Sequence, residues 1–543
     1  MLKINLSDWD VENENFWEKT GKKIANKNLW LSIPALLLAF AVWIMWGVII
    51  KYMKDFGFNF GMTEGLIVGS QEYLNALKEI NTLYYTLPAI AGLAGATLRL
   101  PNSFLISLGG GRNVIFVTTS LLLIPAIGTG IALSNLDSSY IVFALMALLS
   151  GFGGGNFASS MSNISFFFPK KVQGYALGMN AGIGNLGVGV MQKLIPFIVG
   201  FAFFGVIGTS EGVGGAAPLA GIQNAGWIWV PLLALAAIGA YFGMNNVITG
   251  TPSMPSPTQG ILKTLYMVSL GLLGAAIGAV LLTMVPWTDW GLKNAAMWIV
   301  LPIVVIITVL LMKHATPVEI KSNLNKQFAI LKNKHNWIMT IIYTMTFGSF
   351  IGFSAAFPKL CQDIFVYTNI NDPSFINPNA PNFILWVFLG PVIGALIRPV
   401  GGILSDKINS GAKVTSYSTL FQIIATLAVA FFVIKAKASE TPEEYWWPFF
   451  VSFMILFLTT GIGNGSTFRS IPYIFSKEQA GPVLGWTSAI AAYGAFIIPS
   501  VFGQQIQNGT PEYALFGFAA FYIFCFILNW WYYQRKNAEI RNP

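Results

Sequence analysis

Residues 151–190 read "GFGGGNFASSMSNISFFFPKKVQGYALGMNAGIGNLGVGV", and the pattern of this stretch returns later in the chain. The Gly-Asn pair at 155–156 recurs at 463–464, an offset of 308 residues (463 minus 155). The Gly-x-x-Leu-Gly pattern at 174–178 recurs at 481–485, an offset of 307 residues (481 minus 174). Two glycine-rich patterns in the same order and at nearly the same offset indicate an internal repeat.

An arginine inside an apolar stretch is the third repeated feature. Arg99 ends the sequence "GATLR", and Arg398 ends "GALIR", 299 residues further on (398 minus 99). Together the three features predict a chain built from two parallel halves. Such repeats are typical of major facilitator transporters, which bind their substrate where the two repeats meet.

The composition is that of a membrane protein. Of the 543 residues, 55% are hydrophobic and only 10% are charged, whereas soluble proteins average about 25% charged residues. The mean hydropathy is +0.63. The apolar runs are continuous rather than alternating, which favours membrane-spanning helices and argues against a barrel.

Apolar runs predict fourteen membrane-spanning helices. They lie at residues 28–50, 80–106, 114–134, 140–168, 174–203, 226–248, 264–287, 294–313, 337–358, 382–405, 413–435, 446–468, 480–503 and 514–533. The first six and the last six form the repeated halves, and the seventh and eighth are an insertion. We therefore expect an all-α polytopic membrane protein with the major facilitator fold, two six-helix halves and an inserted helix pair.

This helix pattern also predicts the division of the chain. The divisions are a cytoplasmic N-terminal segment (1–27), an N-terminal half (28–248), a central insert with a basic cytoplasmic loop (249–335), a C-terminal half (336–533) and a cytoplasmic tail (534–543). The first 27 residues are polar and mixed in charge, so we expect no cleavable signal peptide.

Lysines and arginines concentrate in the loops on one side of this arrangement, which predicts that both termini are cytoplasmic. The net charge of +9 is mostly this loop bias, so we expect a lipid bilayer partner and no nucleic acid. The two cysteines and two histidines form no metal or disulfide motif, and we expect no cofactor. An inner-membrane location and a monomer are the simplest expectations.

Three charged residues lie well inside the predicted spans, namely Arg99, Arg398 and Lys193, with no Asp or Glu among them. Both arginines are about 12–15 Å from the cytoplasmic ends of their helices, and a central Arg costs about 2.5–3.5 kcal/mol on insertion scales. Capping of backbone carbonyls is one explanation. Two arginines at matched depth without a carboxylate favour another, in which the partner is a bound anion held by paired donors. Lys193 lies closer to the outer end of its helix, and its long side chain can carry the ammonium to the interface.

Polar amides accompany the glycines in the same helices. They are Asn156, Asn163, Asn180, Asn185 and Asn464. Such amides donate hydrogen bonds to an oxyanion, but they also join neighbouring helices. Tyr343 and Phe347, spaced i, i+4, share a helix face. From the pattern alone, these two residues and Phe157 are packing residues.

The stretch "GGILSDK" at 401–407 is similar to the gating-loop motif of major facilitator proteins, in which the aspartate pairs across a gap between helices. Asp406 and Lys407 are therefore predicted to act in gating. The first half has "LISLGGGRN" at the matching position and lacks the acidic residue.

The two glycine-rich stretches, at 153–192 and 461–499, resemble the nitrate signatures of the nitrate/nitrite porter family, and the likeness extends over residues 30–248 and 330–533. The resemblance implies a transporter of nitrate and nitrite that is not an enzyme. It implies that Arg99 and Arg398 bind the anion, that Phe157 and Phe347 flank it and that Tyr343 donates a hydrogen bond. The signature glycine–asparagine pairs match Gly184–Asn185 and Gly463–Asn464.

The coupling of transport follows from the titratable groups. A proton-coupled transporter needs a group that titrates within the membrane, and the predicted spans contain no Asp, Glu or His. This favours exchange of nitrate for nitrite. Nitrate–proton symport remains an alternative, in which the proton moves with Tyr343, as nitrous acid, or with Glu72 or Glu79 if these lie deeper than predicted. Another small-anion transporter and a passive channel also remain open, whereas a haem-containing enzyme subunit is disfavoured because the predicted spans contain no histidine that could bind haem.

Overall fold

The computed structural model describes residues 5–206, 221–248, 256–287, 295–366 and 377–543. Residues 249–255 and 288–294, which belong to the predicted central insert, and residues 1–4 of the predicted N-terminal segment lie outside the described residues. The described chain is almost entirely helical, as predicted. Its one sheet pairs β1 (Asn5–Leu6) with β2 (Asn246–Val247) in parallel.

Fifteen helical segments of ten or more residues make up the described chain. In chain order they are α1 (Glu14–Lys54), α2 (Gln71–Asn102), α3 (Gly111–Ala132), α4 (Tyr140–Phe167), α5 (Lys170–Val199), α6 (Asn224–Gly243), α7 (Pro257–Thr283), α8 (Ala296–His314), α9 (Val318–Gln327), α10 (Lys334–Val366), α11 (Phe383–Ile408), α12 (Gly411–Lys437), α13 (Pro442–Ile474), α14 (Lys477–Ile506) and α15 (Pro511–Tyr533).

Thirteen of these helices are long and apolar enough to cross a membrane. Each of the fourteen predicted spans corresponds to one helix, and the one outside the thirteen is the 32-residue helix α2. Its apolar stretch is diluted by polar residues in its first turns and by Arg99. The short helix α9 lies in the predicted basic loop.

Most helices extend beyond the predicted spans. Helix α1 begins at Glu14, capped by the Asn13 side chain, which accepts hydrogen bonds from Asn15 N and Phe16 N. Helix α10 continues to Val366, eight residues past the predicted end at 358. Hydropathy detects the apolar part of a helix, so polar turns at either end escape it.

The chain forms two compact units. The first comprises Met1–Leu6, Trp30–Ser159 and Val190–Lys321, and the second comprises Ser7–Leu29, Ser160–Gly189 and Ser322–Pro543. The division falls inside α1, α4, α5 and α9. The predicted domain boundaries at 28, 249 and 336 stay predictions, because a compact unit is defined by contacts and not by order along the chain.

In the first unit, α7, the first helix of the predicted insertion, packs closely on α2, the helix that carries Arg99. A Cβ atom added at Gly271 would lie 2.6 Å from Cγ of Pro101, and one added at Gly278 would lie 2.9 Å from Cδ2 of Leu93. Helix α7 therefore supports the last three turns of α2.

In the second unit, an aromatic cluster joins α10 to α13. The rings of Phe357 and Phe453 stack with centroids 4.2 Å apart. Both cysteines, Cys361 on α10 and Cys525 on α15, are buried and are not disulfide-bonded.

Candidate functional site

Arg99 is buried in the first unit among three aromatic rings. Its side chain is fully enclosed, and its Nε donates a hydrogen bond to the Gly154 carbonyl at 2.8 Å. The guanidinium carbon lies 4.7 Å from the ring centroid of Phe157, 5.1 Å from that of Trp43 and 5.7 Å from that of Phe40. The structure thus brings two predicted site residues, Arg99 and Phe157, into contact.

Arg398 is buried in the second unit, also against aromatic rings. Its guanidinium carbon lies 4.2 Å from the Phe350 ring and 5.5 Å from the Phe347 ring. Neither Nη1 nor Nη2 has a hydrogen-bond partner among the described residues, and Nε lies 3.4 Å from the Gly394 carbonyl. A cation over a ring is stabilised by about 2 kcal/mol when desolvated, less than the cost of burying it unpaired.

The backbone at Arg398 has a distinctive shape. Helix α11 is interrupted at Ile397, and a new helical segment starts at Arg398 with Pro399 in its first turn. Gly465 of α13 approaches this point closely, since a Cβ atom there would lie 2.1 Å from the Arg398 carbonyl oxygen. The glycine-rich second repeat therefore supports the arginine directly.

Tyr343 and Phe347 are next to each other on α10, as their spacing predicts. Their rings stack with centroids 5.6 Å apart and planes inclined by 19°. Phe347 lies in a π-helical turn, Thr344–Gly348, a local irregularity that is frequent at functional sites. Tyr343 is fully buried, and its ring also contacts Phe468 at 5.3 Å. Arg398, Tyr343 and Phe347 form one cluster.

The predicted asparagines have different surroundings. Asn464 is fully buried, and neither of its amide atoms has a hydrogen-bond partner within the described part of the chain. Asn156, in the first unit, is also buried, and neither of its amide atoms has a hydrogen-bond partner among the described residues. Asn185 donates to the Ala181 carbonyl of its own helix at 2.7 Å, and Asn180 donates to the Ser160 hydroxyl at 2.8 Å.

The predicted site glycines, Gly184 and Gly463, are both buried. Gly184 lies inside α5. A Cβ atom added at Gly463 would lie 2.8 Å from Cγ2 of Thr346 and 2.9 Å from the Ser418 hydroxyl. Gly463 thus allows α13 to approach α10 next to Asn464.

Each unit therefore presents a buried guanidinium against the faces of aromatic rings, together with a buried amide that has no hydrogen-bond partner among the described residues. No group of three or more His, Cys, Asp or Glu side chains that could hold a metal ion occurs among the described residues. Such a set of donors suits a small anion that accepts several hydrogen bonds in one plane.

Several curated transporters are similar to this chain over nearly its full length. NarU of Salmonella typhimurium, a nitrate/nitrite transporter, is 36% identical, with 98% of this chain and 97% of that protein covered. The probable nitrate/nitrite antiporter NarK2 of Thermus thermophilus is 33% identical, with the same coverage of both chains. The chain belongs to the nitrate/nitrite transporter family. No protein-family model matches the chain.

Solved structures place this family member in the major facilitator fold. The proton:xylose symporter XylE superposes with a TM-score of 0.59 at 12% identity, covering 94% of this chain and 96% of XylE. A bacterial homologue of the iron transporter ferroportin gives a TM-score of 0.51. The predicted fold class is confirmed, and the nitrate/nitrite transporter relatives are carriers and not enzymes.

The predicted gating motif, residues 401–407, contributes to an ionic cluster in the second unit. Asp406 accepts a hydrogen bond from Tyr175 N at 3.2 Å and lies 3.7 Å from Nε of Arg469. Arg469 also donates to the Asn409 side chain and stacks over the Tyr473 ring, 3.7 Å from its centroid.

Lys407, the other predicted gating residue, is exposed and makes no ion pair within the described ranges. The cation next to Asp406 is Arg469 instead. It lies one residue beyond the predicted span 446–468, and a basic residue at the end of a span was indistinguishable from an ordinary loop lysine.

A buried carboxylate also lies outside the predicted span. Asp363, on the extension of α10, is buried and pairs with the partly exposed Lys359 one turn earlier. The predicted span 337–358 contains no Asp, but the helix itself continues to Val366 and includes Asp363. Lys193 is exposed on α5, and Glu72 and Glu79 are exposed on α2.

Three aromatic residues next to the arginines were also missed. They are Phe40, Trp43 and Phe350. The sequence does carry a signal for them: the pair 40 and 43 recurs at 347 and 350, an offset of 307 residues (347 minus 40). This is the offset of the glycine patterns.

Proposed function

We propose that this protein is a secondary active transporter that carries nitrate and nitrite by alternating access. The observation that carries the proposal is Arg398, a fully buried guanidinium whose two terminal nitrogens have no acceptor among the described residues. A permanent cation is costly in that position unless an anion neutralises it for part of the time. The names of the relatives support nitrate and nitrite as that anion.

In this proposal Arg99 and Arg398 both bind the anion. Phe157 and Phe347 flank its plane, since each ring lies beside an arginine. Tyr343 and Asn464 donate hydrogen bonds to its oxygens. Asn185 and the glycines Gly184 and Gly463 serve the site through helix packing.

Exchange of nitrate for nitrite is the proposed mode of coupling. An arginine side chain stays charged at any pH at which proteins function, so a carrier without a bound anion holds two buried cations. Anions on both legs of the cycle avoid that state. Proton symport is the alternative, and Asp363 is the buried carboxylate that could serve it.

We also propose an inner-membrane location with both termini in the cytoplasm, and a monomer as the working unit. Exposed lysines at 313, 326 and 332 support a cytoplasmic position for the loop after α8, because basic loops are retained on that side.

Transport by purified protein in liposomes tests the proposal. Labelled nitrate uptake is measured with nitrite, nitrate or no anion inside, with and without a pH gradient. We expect uptake to require an internal anion and to be independent of the pH gradient. Uptake into empty vesicles driven by a pH gradient would replace exchange with symport.

Arg99→Lys and Arg398→Lys are run beside the wild-type protein. Lysine retains the charge but loses the planar paired donors, so we expect at least a hundredfold loss of nitrate uptake. The size-exclusion elution profile of the purified variant, which reports correct folding, should be unchanged. Wild-type rates in either variant would remove that arginine from the anion site.

A further inference from the structure

An aromatic ring, a glycine and an arginine form the same arrangement in both units. In the first unit, Trp43 of α1 packs over Gly95 of α2, and Arg99 follows one helical turn later. A Cβ atom added at Gly95 would lie 2.1 Å from Nε1 of Trp43. The ring then reaches the guanidinium, 5.1 Å from its centroid.

In the second unit, Phe350 of α10 packs over Gly394 of α11, and Arg398 follows one helical turn later. A Cβ atom added at Gly394 would lie 2.7 Å from Cδ2 of Phe350. The guanidinium carbon lies 4.2 Å from the ring centroid. Residues i and i+4 share a helix face. The glycine, which has no side chain, therefore leaves room for the ring, and the arginine places its guanidinium over that ring.

Each of the two rings, Trp43 and Phe350, also makes a contact that does not involve the arginine. Trp43 donates a hydrogen bond from Nε1 to the Ala91 carbonyl at 2.7 Å, which fixes it on α2. Phe350 contacts the Phe457 ring edge-on, with centroids 6.1 Å apart. Both rings are fully buried.

We infer that Trp43 and Phe350 are positioning residues, which fix the guanidinium groups of Arg99 and Arg398 for anion binding. The inference rests on the proposed function, because it assigns these residues a role in the same site. A ring face attracts a cation without neutralising it. The guanidinium therefore stays in place and charged when the anion leaves, and its N–H groups stay directed at the next anion. Preorganisation of this kind strengthens binding by lowering the cost of ordering the site.

The test removes the ring face while conserving volume. In Phe350→Met and Trp43→Met, an unbranched side chain fills the space without an aromatic face. We expect the KM for nitrate in liposome exchange to rise about tenfold in each, with the maximal rate within about twofold. Trp43→Phe keeps a ring face, so its KM should stay within about twofold of wild type.

Two neighbouring aromatics provide matched controls. Phe353, three residues after Phe350, packs on Phe453 and Phe518. Trp46, three residues after Trp43, donates to the Ser150 hydroxyl. Both are fully buried. Phe353→Met and Trp46→Met should lower thermal stability as much as the test variants and leave the KM for nitrate unchanged.

The outcomes separate this inference from the proposed function. A wild-type KM in Phe350→Met and Trp43→Met, or an equal rise in the controls, would overturn the positioning role while nitrate transport stands. If Phe350→Met does not fold, the comparison of Trp43→Met with Trp43→Phe decides alone. Wild-type protein that neither binds nor transports nitrate would overturn both.

Discussion

At the scale of the residue, two asparagines with the same predicted role differ in how their amide N–H groups are satisfied, although neither amide oxygen has a hydrogen-bond partner among the described residues. Asn185 uses its amide N–H on the Ala181 carbonyl of its own helix. Asn464 is equally buried, yet no described residue hydrogen-bonds its amide. A buried polar group without a partner costs about 1–3 kcal/mol, so Asn464 is retained at the expense of stability.

We therefore expect Asn464→Ala to raise the KM for nitrate about tenfold without lowering the melting temperature. The lost hydrogen bond to the anion weakens binding, whereas removal of an unsatisfied amide relieves the folded state. Nitrate transport and thermal unfolding of the same preparation provide the measurements.

Asn185→Ala is the matched control, and we expect it to change the KM by less than threefold. A larger effect at Asn185 than at Asn464 would reverse the assignment of the two residues.

The arginines could be predicted from sequence, because a charge inside an apolar run is conspicuous. Trp43 and Phe350 could not, because the chain has 43 phenylalanines and 17 tryptophans and an aromatic residue in a membrane helix needs no special explanation. Their function depends on which ring lies over which guanidinium, and that is decided by packing.

At the scale of the element, glycines decide where helices cross. Gly154 of α4 meets Gly95 of α2, with a Cβ atom at Gly154 lying 2.4 Å from the Gly95 Cα. Gly461 of α13 meets Gly394 of α11 in the same manner, 2.3 Å from its carbonyl oxygen. The glycines of the two crossings are related by 307 residues (461 minus 154) and 299 residues (394 minus 95), the offsets of the glycine pattern and of the arginines, so the internal repeat extends to the packing of backbones.

Gly465→Ala should be strongly destabilising, since its Cβ would lie 2.1 Å from the Arg398 carbonyl oxygen. Overpacking costs about 1–3 kcal/mol, and the backbone position of Arg398 would shift. We expect a lower melting temperature and loss of nitrate transport.

Gly517→Ala, on α15, provides the comparison because no atom lies within 4 Å of its added Cβ. There the higher helix propensity of alanine should preserve or raise stability, by up to about 1 kcal/mol. Equal melting temperatures for the two variants would contradict the close crossing.

Helix existence was predictable, whereas helix ends were not. Every predicted span corresponds to a helix, because twenty consecutive apolar residues have few other structures available in a membrane. Arg469 and Asp363 were missed since both lie on helical turns beyond the apolar run. These helix ends carry the ionic contacts of Asp363 and Arg469. Hydropathy therefore predicts helix ends least well at the positions where charged side chains pair.

At the scale of the whole molecule, the coupling of transport depends on the few charges buried among the helices. The repeat of glycines and arginines predicted the two-half architecture, and the XylE superposition agrees with the major facilitator fold. The composition could not separate exchange from symport, because Asp363 is recognisable as buried only in the folded chain.

Asp363→Asn distinguishes the two modes. Under exchange, the carboxylate serves only to pair with Lys359, whose side chain is 48% exposed and can be solvated instead. We expect nitrate–nitrite exchange to stay within about twofold of wild type at every pH. Loss of pH-driven uptake with intact exchange would identify Asp363 as a proton carrier.

Because Cys361 and Cys525 are buried, we expect the native protein to react very little with polar thiol reagents. A cysteine introduced at an exposed lysine, such as Lys19 or Lys536, would be the reactive thiol toward a polar maleimide, without prior removal of the native ones. In oriented membranes, the side from which the dye reaches it reports the topology of each terminus. Pairs of such labels would allow the transport cycle to be followed by energy transfer in an otherwise unaltered carrier.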